Sequence, residues 1–566
     1  MPNRRLNLVF LWHMHQPDYR DHVSGEYLLP WVYLHAIKDY ADMADHLERH
    51  PAIRAVVNFV PVLLDQIEDY CRQVESGDIR DPLLRLLAIP DLAHIDAAGR
   101  KLLLDACFRS NYRTMLAPFP RYRRLHDLYQ RLAPEGEAAL AYLSGSYFTD
   151  LVTWYHLAWI GETERRRRPL IAELMNKAEG YSAADRQALL QLIGDILKNL
   201  VPRYRALQER GQIELSATPE THPLSPLLLD FHSARESIPR APLPEADAYP
   251  GGQQRLAAHI EAARASHARR FGAAPVGMWP AEGAVSSAVA QQLAEHGCAW
   301  IASSEGVLRS SLARHGGNPH HAAYRPWKLA SAPNITLFFR DERLSDLIGF
   351  EYAKWHGRDA AQHMVGQLEG ILADSAPDES PVVSIILDGE NAWEHYPYNA
   401  YFFFEDLYGL LENHSRIRTT TFAEILAQPA PENPAQLSGL AAGSWVYGTL
   451  STWIGDPEKN RAWDLLCAAK QSYDAALASG CLTPEETVAA ERQLAICESS
   501  DWFWWFGDYN PSQAVANFDH LYRRNLANLY HLLKLPPPAQ LDLPISKGSD
   551  TATTDGTMRR ALEHHS

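Results

Sequence analysis

Seven short apolar segments, at 6–12, 55–60, 212–216, 275–279, 299–302, 334–339 and 381–387, most constrain how this chain can fold. Most are nearly continuous in apolar character, as expected for strands buried on both faces of a parallel sheet. Helical periodicities lie between them, for example at 256–271 and 284–296. Strand, helix and strand repeated in this way imply an α/β architecture with right-handed crossovers. Each run has a polar side chain in it or just beyond it. His13 and His15 follow the first, Asn58 lies in the second and Glu214 in the third. Glu282 follows the fourth, Ser304 and Glu305 the fifth, Arg340 and Asp341 the sixth, and Asp388 the seventh. Barrel enzymes build their sites at the C-terminal ends of parallel strands. The pattern therefore predicts a barrel enzyme rather than a structural protein.

The spacing of the runs sets the expected domains. Residues 1–428 form a catalytic barrel. The long gap between the second and third runs is a helical insertion at about 62–210, with helices at 100–115, 121–132 and 183–210. A helix at 399–412 follows the seventh run. Residues 429–535 read as a C-terminal helical domain completing the active site, with helices at 458–477, 483–499 and 511–535. Pro536-Pro537-Pro538 ends the last helix. The tail 536–566 is expected to be disordered, above all the Ser/Thr/Asp/Gly-rich stretch 546–557.

Composition excludes several function classes. The formal net charge of −16 makes nucleic acid or an anionic lipid surface a poor partner. The basic run 165–168 reads as a solvated helix face. No apolar stretch is long enough to span a membrane. The six cysteines include no CxxC pair, which suits reduced thiols and argues against a disulfide framework. The apolar run after Arg4-Arg5 is short and ends in His13 and His15, so it reads as a strand, not a secretory signal. A cytoplasmic location is expected. Fifteen Trp and 25 Tyr make carbohydrate an early candidate ligand, since aromatic faces stack on sugar rings.

Two strand ends carry the chemistry. Gly277-Met278-Trp279-Pro280-Ala281-Glu282-Gly283 presents a carboxylate beside a tryptophan. Ile385-Ile386-Leu387-Asp388-Gly389-Glu390 ends a β-branched run in Asp, with Trp393 just beyond. Two carboxylates from different strands are what glycoside hydrolysis requires: one attacks the anomeric carbon, the other protonates the leaving oxygen. Their separation distinguishes retention from inversion, and spacing along the chain does not supply it.

The chain resembles glycoside hydrolase family 57 over most of residues 6–535. His15-Gln16-Pro17 is similar to the family's first motif. Gly211-Gln212-Ile213-Glu214-Leu215, followed by His222-Pro223, is similar to the second. Trp279-Pro280-Ala281-Glu282 and Leu387-Asp388-Gly389-Glu390 are similar to the third and fourth, and Ser500-Asp501-Trp502, with Trp504 and Trp505, to the fifth. The resemblance implies an incomplete (β/α)7 barrel with a helical insertion and a C-terminal helical domain. It implies a retaining enzyme acting on α-1,4-glucans or maltooligosaccharides, with no metal and no cofactor. Glu282 would be the nucleophile and Asp388 the acid/base, with Glu390 the second candidate for the acid. Substrate contacts would come from His13, His15, Glu214, His222, Trp279, Arg340, Glu390, Trp393, Asp501, Trp502 and Trp505. The proton should sit on Asp388, its pKa raised relative to that of Glu282. Asp346 is expected to cap a helix. The chain departs from amylase-like members at Ser304-Glu305, where they tend to carry an Asp-Glu pair.

Hydrolysis, 4-α-glucan transfer and branching share one glycosyl-enzyme, so all three remain open. His13-Met14-His15 also fits a zinc-dependent barrel hydrolase such as an α-mannosidase or deacetylase. A non-catalytic glycan-binding protein is a third possibility.

Overall fold

The structure is a computed structural model and describes residues 4–317, 322–429 and 435–551. All seven expected strands form: β1 (Leu6–Met14), β2 (Ala55–Phe59), β3 (Ile213–Ala217), β4 (Gly277–Met278) and β5 (Trp300–Ser304). After the short β6 (Trp327–Leu329) come β7 (Ala332–Arg340) and β8 (Val382–Asp388). Parallel pairing runs β8-β1-β2-β3-β4-β5-β7, and a β7–β8 contact at Arg340 and Ser384 closes the ring. The result is a closed seven-stranded parallel barrel. Outside it, β6 lies antiparallel on β7. β9 (Ile417–Thr419) pairs with the start of β1, and β10 (Ala435–Leu437) with β6.

The two-residue period of a strand decides what faces the barrel axis. Val9 and Leu11 of β1 pack inside with Val56, Trp300, Ala302, Phe338 and Ile386. Phe10 and Trp12 point the other way, against Tyr408 and Phe404. The register places Leu11 beside Val56 and Ile386, and His13 beside Asn58 and Asp388. The same inward parity that fills the core with aliphatic groups thus ends, at the mouth, in His13, Asn58 and Asp388.

Helices fill the interval between β2 and β3, from Pro61–Ser76 to Ala183–Glu209. The helix expected at 100–115 is two elements, Ala97–Ala106 and the π-turn Tyr112–Leu116. Asn111 separates them, its side chain accepting from the backbone N–H groups of Arg113 and Thr114. Within the basic run, Arg165, Arg166, Arg167 and Arg168 pair with Glu162 and Glu164 of their own turn.

The C-terminal helices are Pro457–Ser479, Pro484–Cys497 and Ser512–Leu532, with a short turn Asp501–Trp505. Two expectations change here. Residues 435–454 are not helical: β10 and a bridge between Val285 and Gly443 tie them to the barrel. Nor is the start of the tail disordered. Asp519 accepts from the backbone N–H groups of Ile545 and Ser546, and Leu541, Ile545 and Ser546 are buried. Residues 552–557 of the expected disordered stretch, and the rest of the tail to 566, lie outside the described residues. Among the described residues, no helix is long and apolar enough to cross a membrane.

Candidate active site

A cleft of about 940 Å³, including its open mouth, lies at the C-terminal end of the barrel strands. His13, His15, His222, Glu282, Arg340, Asp388, Glu390, Asp501 and Trp505 line it. These nine come from β1, β7, β8, the loops after β1, β3, β4 and β8, and the turn after helix Pro484–Cys497.

Glu282 sits in a single helical turn after Pro280, with a left-handed backbone (φ 59°). A non-glycine residue there stores strain, which persists where surrounding contacts enforce it. The Trp445 backbone N–H donates to the Glu282 carbonyl (3.0 Å), and its indole N–H to Oε2 (2.8 Å). Burial pushes the Glu282 carboxyl up to about 8, and the carboxylates of Asp388 and Asp501 add to the rise. The Trp445 hydrogen bond opposes it.

Asp388 is the last residue of β8. Burial raises its carboxyl to about 6, held back by the Asn391 amide (3.2 Å) and by the charges of His15 and Arg340. The expected order of the pair is therefore inverted. Among the described residues Glu282 faces two carboxylates with only a neutral indole as donor, whereas Asp388 lies near the Arg340 guanidinium. Both carboxyls are raised, so across neutral pH the pair carries one proton.

Three imidazoles form the floor. His15 and His222 stack with centroids 3.8 Å apart, and His13 Nε2 meets His222 Nε2 at 3.1 Å. Asn58 Oδ1 accepts from His13 Nδ1 at 2.6 Å. Burial lowers His13 to about 3 and drives His222 well below the usual histidine range, so both are neutral. The C-terminal segment completes the floor. Asp501 accepts from His15 Nε2 at 3.0 Å, and Ser500 Oγ lies 2.8 Å from His222 Nδ1. His222 itself has φ 66°.

His15, His222 and Asp501 bring ligand atoms within 4.8 Å of one another, a geometry open to a metal ion. The donor set fits one poorly. Each ring nitrogen of His222 already has a protein partner outside the set, His13 and Ser500.

Arg340 donates to the Ile386 carbonyl (2.8 Å) and to Asp346 (3.0 Å), and stacks on Trp445. Asp346 is thus an ion-pair partner and makes no capping bond to the turn Leu347–Glu351 that follows it; Asp341 caps the preceding helix Glu342–Asp346 through Leu344 N–H (2.7 Å). Ser304 caps the helix after β5 and donates to the Ser444 carbonyl (3.0 Å), which fastens the segment carrying Trp445.

Four residues expected at the substrate lie elsewhere. Glu214 faces inward two positions before Ser216, so it plugs the far end of the barrel. There it accepts from the Trp300 indole (2.7 Å) and Ala423 N–H (2.8 Å). Trp279 is wholly buried in the barrel core, edge-on to Trp445. Trp393 packs on Trp12 and Phe404, and Trp502 on Tyr522, both enclosed. The aromatic walls are instead Trp445, Trp504 and Trp505, with Phe350 and Phe518. Trp504 stood within a recognised motif. Trp445 carried no local signal, because its place depends on the bridge from Val285 to Gly443.

The profile of glycosyl hydrolase family 57 matches residues 9–437, about three quarters of the sequence. The chain belongs to glycosyl hydrolase family 57. Solved structures with this fold include a branching enzyme from Thermococcus kodakaraensis in complex with glucose. It is 16% identical, with a TM-score of 0.57 over 93% of this chain and 90% of that one. An α-amylase from Thermotoga maritima is 13% identical, with a TM-score of 0.56 over 94% and 93%. A 4-α-glucanotransferase from Thermococcus litoralis is 15% identical, with a TM-score of 0.52 over 93% and 60%. The family 57 fold is shared along nearly the whole chain.

Proposed function

We propose that this family 57 enzyme cleaves α-1,4-glucans with retention, Glu282 acting as nucleophile and Asp388 as acid/base. The observation that carries the reading is that two buried carboxyls, one at the end of β8 and one just after β4, enter the same aromatic-walled cleft.

Glu282 attacks the anomeric carbon and displaces the glycosidic oxygen, which takes a proton from Asp388. The product is a β-linked glycosyl ester on Glu282. Asp388, now a carboxylate, removes a proton from water or from a sugar hydroxyl, which attacks the same carbon and releases Glu282. In the free enzyme Glu282 holds the proton more tightly than Asp388. Positive charge developing on the sugar next to Glu282 favours its ionised form, so the transition state transfers the advantage to Asp388.

His13, His15, His222 and Asp501 line the floor where sugar hydroxyls would lie, while Trp445, Trp504 and Trp505 offer stacking faces. The known activities of the structural neighbours, branching, amylolysis and glucan transfer, differ only in the second acceptor. Incubation with amylose and with maltoheptaose tests the reading. Shortened, redistributed or branched α-glucan products support it. No change in either substrate contradicts it.

A further inference from the structure

Glu498 is a fully enclosed carboxylate next to the site, and the catalytic scheme does not use it. It caps helix Pro484–Cys497, three residues before Asp501, and is fully buried. Four donors surround it. Tyr249 Oη donates to Oε1 (2.5 Å), and Arg255 Nε to Oε1 (2.8 Å). Arg255 Nη2 and His259 Nε2 donate to Oε2, each at 2.8 Å. Tyr249, Arg255 and His259 belong to the segment leading into, or lying on, helix Gly252–Phe271, which joins β3 to β4. Burial alone would raise Glu498, but Arg255 and His259 overcome it and hold the carboxylate ionised.

The end of helix Pro484–Cys497 that carries Glu498 is stitched to the loop after β3. Thr221 Oγ1 donates to the Ala495 carbonyl (2.5 Å), and Ser500 N–H to the His222 carbonyl (2.9 Å). On the other side, Glu220 N–H donates to the His259 carbonyl (3.1 Å). Glu498 therefore sits where one barrel helix, the His222 loop and the turn bearing Ser500 and Asp501 meet. An ion pair is costly to bury for stability alone, and a buried network of this kind fixes geometry.

We propose that Glu498 is a positioning residue. Clamped by Tyr249, Arg255 and His259, it holds Asp501 against His15 and Ser500 against His222, and so sets the polar floor that grips the sugar. The inference rests on the reading of that floor as glucan-binding.

A double-mutant cycle tests it, with maltoheptaose affinity measured in the Glu282→Gln background so that no turnover intervenes. Glu498→Gln keeps the side-chain volume but weakens the ion pair. Tyr249→Phe removes one hydrogen bond and replaces it if the first variant does not fold. Acting through Asp501, the substitution should weaken binding about tenfold alone and less than about twofold when Asp501→Ala is already present. A loss of similar size in both backgrounds, or no loss in the first, overturns the proposal.

If the Glu282→Gln parent binds no maltoheptaose, the glucan reading is what fails. A crystal structure of the clamp variant then decides the inference. A His15–Asp501 contact lengthened past hydrogen-bonding distance supports it, and an unchanged contact of 3.0 Å overturns it.

Discussion

Trp445 holds the carboxyl and the backbone carbonyl of Glu282 at once, through its indole and its own amide, at 2.8 and 3.0 Å. One residue of the segment after β10 thereby fixes both the orientation and the ionisation of the proposed nucleophile. Ser304, through Ser444, holds that segment in place.

Trp445→Phe keeps an aromatic wall and removes the donor. Loss of a hydrogen bond to a charged group costs about 1.5–3 kcal/mol, or about 10–150-fold in rate. The Glu282 carboxyl should rise further, because its one stabilising donor is gone. The pH profile of kcat/KM should show a lower maximum and an alkaline limb moved to higher pH.

The pair of raised carboxyls predicts a bell-shaped kcat/KM profile. Below about 6 both groups are protonated and no nucleophile exists. Above about 8 both are ionised and no acid remains. Activity should peak between these values, and kcat/KM reports the free enzyme in which they apply. A profile still rising well above pH 9 contradicts the pairing.

Stability carries the same signature with a defined sign. Glu282 keeps its proton in the folded state up to about 8, against an ordinary value of 4.5. The native state then binds more protons than the unfolded one, so this contribution is full below about 4.5 and lost as pH rises through 8. Glu282→Gln should match the parent in Tm near pH 4 and exceed it progressively toward pH 9. Thermal unfolding across that range checks it.

Glu214 separates a structural from a substrate role. It bridges the Trp300 indole and Ala423 N–H at the closed end of the barrel. Glu214→Ala should lower stability by about 1–3 kcal/mol by orphaning buried donors, with kcat/KM for maltoheptaose near that of the parent. A large loss of kcat/KM in a stable variant returns Glu214 to the substrate.

The barrel was legible because β-branched, nearly continuous apolar runs have few other uses, and their polar ends marked the mouth. His13 and Asp388 reach the cleft because inward parity carries through from Leu11 and Ile386. Depth was not legible: Glu214 has the same parity as Ser216, and only the register shows that it lies at the far end. The tryptophans divided for a similar reason, since Trp279 and Trp502 fill cores while Trp445, Trp504 and Trp505 meet the cleft. The order of the two carboxyl pKa values depends on where Arg340, His15 and Asp501 converge. Those positions are hundreds of residues apart, and no local pattern encodes their meeting.

Trapping the covalent intermediate tests the central claim most directly. Incubation with a 5-fluoro-α-glucosyl or maltosyl fluoride, followed by proteolysis and peptide mass spectrometry, should show one glycosyl adduct on Glu282. An adduct on another carboxylate, or turnover of the parent enzyme that releases the β-anomer with no adduct at all, contradicts it.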